Sequence, residues 1–304
     1  MAISVSICIA TYKRPCGLFK LLKGINDLQF DKVEQPVIEV VVVDNDSEAT
    51  AKSVVDSQYD QFRWSLVYGV EPQQGVTYAR NRSVALASES ADFIVFIDDD
   101  EIPSPQWLDE LLAAQAIYKV DVVTGPVYPQ FESEEVSEWI IKGDFFAPAD
   151  CKTGTFLDAA FTNNVLVKAG TIKKLDTPFD SRFAVKGAED SHFFMKLKKM
   201  GSHIVWTSSA VVYESIPAHR ATLPWLLERG FWGWSSYSLF EKEFFPSPKT
   251  QFFRFVKGIG LVVTGVVTSL PSLFLGRHRF YKSILYIYRG MGSLSGLIGY
   301  QGDW

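Results

Sequence analysis

The sequence is poor in cysteine, with only Cys8, Cys16 and Cys151 in a chain of 304 residues. The number is odd and no CxxC pair occurs, which argues against a disulfide framework and against a zinc cage. The four histidines have no paired metal-ligand spacing, so we expect structural roles for them. So little cysteine is typical of a reducing compartment, and a cytoplasmic setting is expected.

Positive charge is also scarce. Lys and Arg number 30 against 35 Asp and Glu, which gives a net charge of −5 at pH 7. Such an acidic chain disfavours nucleic acid as the main partner. No basic region precedes the first apolar run, so residues 4–10 are expected to form a strand rather than a signal peptide. Hydrophobic residues make up 47% of the chain, which excludes a disordered protein.

Apolar, β-branched runs alternate with segments of helical spacing along the chain. This alternation predicts an α/β fold with a doubly wound, mostly parallel central sheet flanked by helices. The predicted strands lie at residues 4–10, 37–47, 64–70, 93–97, 121–131, 161–170 and 203–214, the last as one strand or a pair.

Three of the predicted strands end in polar clusters, which read ATYKR, VDNDS and IDDDE. In doubly wound sheets, ligands bind beyond the carboxyl ends of the strands at the switch point of the topology. The last cluster places Asp98, Asp99, Asp100 and Glu101 side by side, although like charges at about 4 Å repel by about 1 kcal/mol in water. Either a solvated turn or a divalent cation would offset that repulsion.

The chain changes character at about residue 221. Aromatic residues become dense, and residues 258–276 carry no charge. A helix of that length would reach roughly 28 Å, which is close to the thickness of a bilayer core. Cationic residues flank the segment on both sides. A buried helix, a full span and a re-entrant or interfacial membrane segment are all compatible with this pattern.

Four segments together resemble family 2 glycosyltransferases, which have the GT-A fold. They read VSICIATYKR (5–14), IEVVVVDNDS (38–47), GVTYARNRSVALASESADFIVFIDDDE (75–101) and GAEDSHFFMKL (187–197). The segments follow the order and approximate spacing of the family over about 215 residues.

The resemblance implies a division of the chain into domains. Residues 1–220 would form the catalytic domain, with a nucleotide-sugar-binding half at 1–102 and an acceptor-side half at 103–220. Residues 221–304 are similar to the C-terminal helical, membrane-associating region of bacterial exopolysaccharide glucosyltransferases of the succinoglycan type.

The resemblance also implies roles for individual residues. It assigns Asp190 as the catalytic base and assigns metal binding to Asp100 and Asp98. The residues that it assigns to the nucleotide-sugar donor are Ala10, Thr11, Tyr12, Arg14, Asp44, Arg80, Asp98 and Asp99. From the residues alone, purely structural roles stay open: Asp44 and Asp46 as helix-capping or turn residues, Asp190 as part of a helix cap and Tyr12 as core packing.

The implied activity is inverting transfer of a hexose from a nucleotide-sugar, usually a UDP-sugar, to a hydroxyl of a lipid-linked or polysaccharide acceptor. A diphosphate leaving group calls for Mg²⁺ or Mn²⁺, and the acceptor hydroxyl calls for one carboxylate base. The QxxRW motif of processive synthases is absent, so addition of a single sugar is expected. The expected location is the cytoplasmic face of the cell membrane. The alternatives are a nucleotidyltransferase and a non-catalytic subunit that binds sugar-nucleotides or glycans.

Overall fold

The computed structural model describes residues 2–185 and 187–300. The strands are β1 (Ser4–Thr11), β2 (Val37–Asp44), β3 (Ser65–Val70), β4 (Phe93–Phe96), β5 (Glu101–Pro103), β6 (Val122–Thr124), β7 (Val127–Phe131), β8 (Phe156–Leu157), β9 (Val165–Lys168), β10 (Ile204–Trp206) and β11 (Val212–Ile216). The helices are α1 (Pro15–Asn26), α2 (Lys52–Gln58), α3 (Val76–Leu86), α4 (Trp107–Tyr118), α5 (Glu138–Lys142), α6 (Ala169–Ile172), α7 (Glu189–Lys199), α8 (Leu223–Phe244), α9 (Pro248–Ser272) and α10 (Arg277–Leu297).

Within these residues, eight strands form one sheet in the order β3-β2-β1-β4-β9-β6-β10-β8. Only β9 and β8 run antiparallel to their neighbours, and the other pairs are parallel. The predicted α/β fold with a mostly parallel central sheet is therefore confirmed. The chain adds β2 and β3 on one side of β1 and then places β4 on the other side. The strand order reverses between β1 and β4, and this reversal is the switch point of the topology.

Helices cover both faces of the large sheet because its strands are apolar on both sides. In β1, Ile7 and Ile9 pack into one cluster with residues of α1 and α4, whereas Cys8 packs into a second cluster with residues of α3 and α7. The helical spacing of α1 matches this arrangement, since its buried residues are Leu18, Leu21, Leu22 and Ile25.

Two of the predicted strands are each divided between this sheet and a smaller one, of order β5-β11-β7. The prediction of one strand at 121–131 is wrong, because the segment forms β6 and β7 with a break at Gly125 and Pro126. Pro126 has no amide hydrogen to donate to a sheet. A Cβ atom at Gly125 would lie 2.4 Å from the Ala210 carbonyl oxygen, so the two backbones cross closely there. The segment 203–214 is a pair, β10 and β11.

The chain forms two compact units. The first comprises Met1–Tyr128 and Pro148–Glu214 and contains the large sheet. The second comprises Pro129–Ala147 and Ser215–Trp304 and contains α5, α8, α9 and α10. Residues 129–147 therefore associate with the C-terminal helices, for example through the rings of Trp139 and Tyr281, whose centroids are 4.7 Å apart.

The apolar helix predicted at 258–276 has different bounds in the structure. It starts ten residues earlier because the Ser247 hydroxyl accepts a hydrogen bond from the Thr250 amide at 3.1 Å and Pro248 occupies the first turn. It ends at Ser272. Among the described residues, α9 is the one helix that is long and apolar enough to cross a membrane by length and composition.

Asn164 is fully buried and joins three segments of the first unit. Its Oδ1 accepts a hydrogen bond from the Trp107 indole at 2.8 Å, and its Nδ2 donates to the carbonyl oxygens of Pro126 and Ala210 at 3.0 and 2.8 Å. We expect Asn164→Ala to lower the free energy of unfolding by about 3–5 kcal/mol, because three buried groups lose their partners. Urea unfolding would measure this loss. The neighbouring variant Asn163→Ala is the control, and equal losses in both would contradict the role given to Asn164.

Candidate functional site

The carboxyl ends of β1 and β4 lie side by side at the switch point. The two strands pair up to Cys8 and Phe96, shortly before their polar clusters begin. The Thr11 hydroxyl donates a hydrogen bond to Asp99 Oδ2 at 2.8 Å, and both side chains are buried. Two of the three polar clusters predicted from the sequence therefore meet at this edge of the sheet.

Arg14, directly before α1, joins the acidic run through its guanidinium. Its Nη1 donates to Asp100 Oδ2 at 2.8 Å and to Asp99 Oδ1 at 3.1 Å. Burial raises the pKa of Asp99 to about 6, while the Arg14 charge and the Thr11 hydroxyl oppose that shift. One guanidinium therefore offsets part of the repulsion between neighbouring carboxylates.

Glu101, the last residue of the acidic run, points into the protein. It is 1% exposed, and its carboxylate accepts a hydrogen bond from the Asp98 amide at 2.8 Å. Burial raises its pKa well above the ordinary value, and the nearby Asp98 charge adds to this shift. Glu101 thus shapes the turn that presents the three aspartates.

Arg80 of α3 connects the acidic run to α7. Its guanidinium donates to Asp98 Oδ1 at 2.8 Å and to the Glu189 carboxylate, and the arginine side chain is buried. Although burial alone would lower the pKa of Arg80, the charges of Asp98, Glu189 and Asp190 raise it above the ordinary value. Burial also raises the pKa of Glu189 to about 7, against the opposing charge of Arg80. The structure thus ties the end of β4 to the start of α7.

Asp190 lies in the first turn of α7, beside Glu189. Its Oδ1 accepts a hydrogen bond from the Ser191 amide at 2.6 Å. The two residues directly before α7 have positive backbone φ angles, +71° at Gly187 and +66° at Ala188. A residue other than glycine in this conformation costs on the order of 1–3 kcal/mol, and such strain concentrates at functional sites. A negatively charged side chain in the first turn of a helix interacts favourably with the helix dipole.

Asp44, at the end of β2, is fully buried, and its carboxylate has partners in the loop that follows and on the neighbouring strand β3. Its carboxylate accepts hydrogen bonds from the amides of Asp46 and Ala51 at 3.0 and 2.7 Å and from the Tyr68 hydroxyl at 3.1 Å. Asp44 therefore organises the turn after β2, as the structural role left open by the sequence allows, and its contact with the nucleotide stays a prediction.

Asp46, for which the sequence left a helix-capping or turn role open, is the second acid of VDNDS. It is 4% exposed, and its Oδ2 has no hydrogen-bond partner within the described residues. An unpaired acceptor that is buried is costly, so a donor on a ligand would relieve that cost. The sequence VDNDS shows that two acids follow β2. Its spacing does not reveal which carboxylate the protein itself satisfies and which keeps an unpaired oxygen.

The remaining predicted donor residues lie at the end of β1 and on the loop that follows it. Ala10 is half-buried and pairs with Val43 of β2. Tyr12 is 41% exposed, which excludes the core-packing interpretation, and its hydroxyl accepts a hydrogen bond from Gln74 Nε2 at 3.2 Å. Lys13 adopts a left-handed conformation with φ of +54°, so the chain turns sharply before Arg14.

The carboxylates at the end of β4 suit a cation that takes its remaining ligands from a substrate. Among the described residues, no group of three or more His, Cys, Asp or Glu side chains is arranged to hold a metal ion. Mg²⁺, however, is usually bound through one or two carboxylates together with waters and substrate phosphates. Asp98 and Asp100 are partly exposed, with side chains at 35% and 18%. Two reachable carboxylates fit this kind of site and do not form a closed protein cage.

Polar side chains from several elements thus meet at the switch point of a mostly parallel sheet, which is where ligands bind in folds of this kind. Residues 6–169 match the family model described as glycosyl transferase family 2. The chain therefore belongs to glycosyl transferase family 2, and the resemblance identified from the sequence motifs is confirmed. Membership supports a glycosyltransferase activity.

Curated relatives cover the chain to different extents. The succinoglycan biosynthesis protein ExoM of Rhizobium meliloti is 27% identical over 298 residues, which are 97% of this chain and 93% of that protein. The glucosyl-dolichyl phosphate glucuronosyltransferase of Haloferax volcanii is 20% identical over 76% of this chain and 75% of its own length. A protein of succinoglycan biosynthesis is therefore similar to this chain over almost its whole length.

Among solved structures, the crystal structure of S. aureus TarS 1-349 in complex with UDP is similar to this chain with a TM-score of 0.55 and 16% identity. The match covers 96% of this chain and 91% of that one. At this identity the similarity shows the fold, which is GT-A-like as the motifs implied.

The buried Glu189 gives the protein a pH-dependent stability. A carboxyl whose folded pKa is raised from 4.5 to about 7 stabilises the fold fully below pH 4.5, and this contribution is lost as the pH rises through about 7. We expect the free energy of unfolding of the wild type to fall between pH 5 and 8, relative to Glu189→Gln, by on the order of 1–3 kcal/mol. Urea titrations across this range would measure the difference. The exposed Glu34→Gln is the control, and parallel profiles for wild type and Glu189→Gln would refute the shift.

Proposed function

We propose that the protein is an inverting, metal-dependent, non-processive glycosyltransferase. It transfers a hexose from a nucleotide-sugar, a UDP-sugar by preference, to a hydroxyl of a lipid-linked or polysaccharide acceptor. The observation that carries the proposal is the buried bridge of Arg80, which holds the acidic run through Asp98 and the start of α7 through Glu189. A leaving-group site and a base on a separate element are what an inverting transfer needs.

The nucleotide is proposed to bind along the ends of β1 and β2. Tyr12 offers an exposed aromatic face for the base, and the Arg14 guanidinium is close enough to the acidic run to contact phosphate oxygens. Asp44 holds the loop, and the unpaired Oδ2 of Asp46 is the acceptor that a base N–H would satisfy.

Asp98 and Asp100 are the proposed ligands of Mg²⁺ or Mn²⁺. When bound, the cation would neutralise the charge that develops on the departing diphosphate. Arg80 holds Asp98 in position through its 2.8 Å contact, and Glu101 fixes the turn that carries both ligands.

Asp190 is the proposed general base. The acceptor oxygen forms its bond to the anomeric carbon as the bond from that carbon to the donor phosphate oxygen breaks. The hydroxyl proton passes to the Asp190 carboxylate, and the electron pair leaves with the diphosphate. Inversion follows because the displacement takes place in a single in-line step without an enzyme nucleophile.

The activity can be tested by a screen of nucleotide-sugars with purified protein and Mn²⁺ or Mg²⁺, measuring nucleotide release with an acceptor extract. We expect transfer with one donor class, its suppression by EDTA, and a loss of at least about 100-fold in Asp190→Asn, because general-base catalysis contributes about 10²–10⁴-fold. Donor affinity should stay within about threefold, since Asp190 acts on the acceptor. Asp158→Asn, a change at an exposed carboxylate, is the control. Wild-type turnover in Asp190→Asn would remove this residue from the mechanism.

The second unit is proposed to attach the enzyme to the cytoplasmic face of the membrane through α9. One narrow stripe of this helix, formed by Arg254, Gly258, Gly265 and Ser272, is buried. Around the rest of its circumference, apolar side chains are 41–70% exposed: Phe252, Phe253, Phe255, Val256, Ile259, Val263, Val266, Val267 and Leu270. Such a continuous exposed apolar surface is typical of a helix immersed in lipid.

Charge points to an anionic bilayer as the partner of this surface. The protein as a whole is acidic, yet residues 248–300 contain no Asp or Glu. Arg254 is buried and paired with Glu241, and the other cationic residues of this segment are Lys249, Lys257, Arg277, Arg279, Lys282 and Arg289. Basic residues near a membrane surface each add about 1 kcal/mol of attraction to anionic lipids.

The packing of α9 favours an orientation in the plane of the membrane. A Cβ atom at Gly265 of α9 would lie 2.5 Å from the carbonyl oxygen of Ser283 in α10, so these two helices pack closely. A Cβ atom at Gly292 of α10 would also clash with the carbonyl oxygen of Phe231, so α10 packs equally closely on α8. If α9 crossed the bilayer, it would take with it charged residues of α10 and α8 such as Arg289 and Lys242. Each charge at the bilayer centre costs about 2.5–3.5 kcal/mol or more.

We expect the protein to float with vesicles that contain anionic lipid and to bind neutral vesicles at least about tenfold more weakly. The triple variant Val263→Ser, Val267→Ser, Leu270→Ser should lose binding and stay folded, because these side chains are exposed. A matched control carries Tyr59→Ser, Ile117→Ser and Phe156→Ser, which are 62%, 72% and 60% exposed in the first unit.

Single cysteines at Lys249 and Arg277, with Cys16 and Cys151 replaced by Ser, should both react with an impermeant maleimide on preformed vesicles. Protection of one end would show a span instead.

A further inference from the structure

Arg14 contacts Asp100, one of the two carboxylates that are proposed to hold a cation at the end of β4. We infer that Arg14 and the divalent cation compete for Asp100, and that the nucleotide diphosphate releases this competition by drawing the guanidinium to itself. Arg14 therefore couples metal binding to nucleotide binding. This inference rests on the proposed function, since it requires the metal site on the acidic run.

The contacts make the competition direct. A single Arg14 nitrogen, Nη1, reaches Asp100 Oδ2 at 2.8 Å and Asp99 Oδ1 at 3.1 Å, while Thr11 occupies Asp99 Oδ2. Both oxygens of Asp99 and one of Asp100 are thus engaged by donors of the β1–α1 segment. A metal ion that bound to Asp100 would meet the positive charge of the guanidinium at short range, and the two positive charges would repel each other.

The backbone beside Arg14 is held against the acidic run, whereas the side chain is free to move outward. A Cβ atom at Gly17 would lie 2.5 Å from the Asp99 carbonyl oxygen, so the first turn of α1 packs directly on the acidic loop. Pro15 restricts the residue before it, and Arg14 has φ of −126° and ψ of 55°. Its side chain is nevertheless 45% exposed. With its backbone fixed and its guanidinium half-exposed, Arg14 can exchange carboxylate partners for phosphate partners by a change of side-chain conformation.

A diphosphate is a better partner for the released guanidinium than water. Arginine binds phosphate oxygens in a bidentate, charge-assisted manner. The guanidinium would move from carboxylates to phosphates that lie next to the same cation, so the total charge of the site stays balanced. By linkage, nucleotide must then raise the affinity for metal and metal must raise the affinity for nucleotide by the same factor.

The experiment is a titration of the full-length protein with Mn²⁺, followed by electron paramagnetic resonance of the free ion, with and without UDP. Arg14→Ala should bind Mn²⁺ about 5–50-fold more tightly than wild type without UDP, because the competing cation is gone. The ratio of the Mn²⁺ dissociation constants without and with UDP should shrink by a similar factor. Arg14→Lys should fall between the two, since lysine keeps the charge and loses the forked geometry.

Two control variants make the result specific. Lys20→Ala removes an exposed cation from the same helix and should leave both dissociation constants at their wild-type values. Asp100→Asn should weaken Mn²⁺ binding in every background. Measurable Mn²⁺ binding that is equal or weaker in Arg14→Ala than in wild type would overturn the role of Arg14 and leave the metal site standing. Absence of Mn²⁺ binding in all proteins, with UDP as well as without it, would overturn both.

Discussion

The guanidinium of Arg80, buried between Asp98 and Glu189, is the contact on which the arrangement of the site depends. The acidic run and α7 are about ninety residues apart in sequence, and apolar packing of β4 and α7 through Phe96, Phe179 and Phe193 brings them together. Arg80 adds the polar contact: removing it would leave two carboxylates without their partner, and breaking a buried charge pair typically costs about 3–5 kcal/mol. Because Asp190 follows Glu189, the same bridge sets where the proposed base stands relative to the proposed leaving-group site.

The four adjacent carboxylates at the end of β4 are tolerated because each has a different environment. Asp98 is paired with Arg80, Asp99 with Thr11 and Arg14, and Asp100 with Arg14. Glu101 is turned inward and accepts a hydrogen bond from the backbone. The repulsion expected from the bare sequence is thus distributed over two arginines, a hydroxyl and an amide. A divalent cation is therefore one further way of balancing these charges and not a requirement for the turn to fold.

The sequence predicted the sheet and the meeting of strand ends because both follow from local periodicity and from the geometry of parallel strands. It did not predict which acid of VDNDS is hydrogen-bonded within the protein, since the partners of Asp44 include Tyr68 on a different strand. It also missed the division of residues 121–131 between two sheets, which depends on the close passage of Gly125 past Ala210. The Arg80–Glu189 contact was likewise invisible, although both residues lay in recognised motifs. Each of these features is a long-range contact, and no local pattern encodes its partner.

The second unit shows why hydropathy alone leaves the orientation of an apolar helix open. The uncharged stretch in α9 has the length of a membrane span, but glycines at 258 and 265 bring the backbone of α10 against it. A helix that is packed on one narrow stripe against a charged partner cannot enter the hydrocarbon without that partner. The small residues that let the helices approach therefore also favour the proposed position of α9 at the surface of the bilayer. The packing of α8, α9 and α10 therefore decides which apolar side chains of α9 stay exposed, and the hydropathy of the segment alone does not.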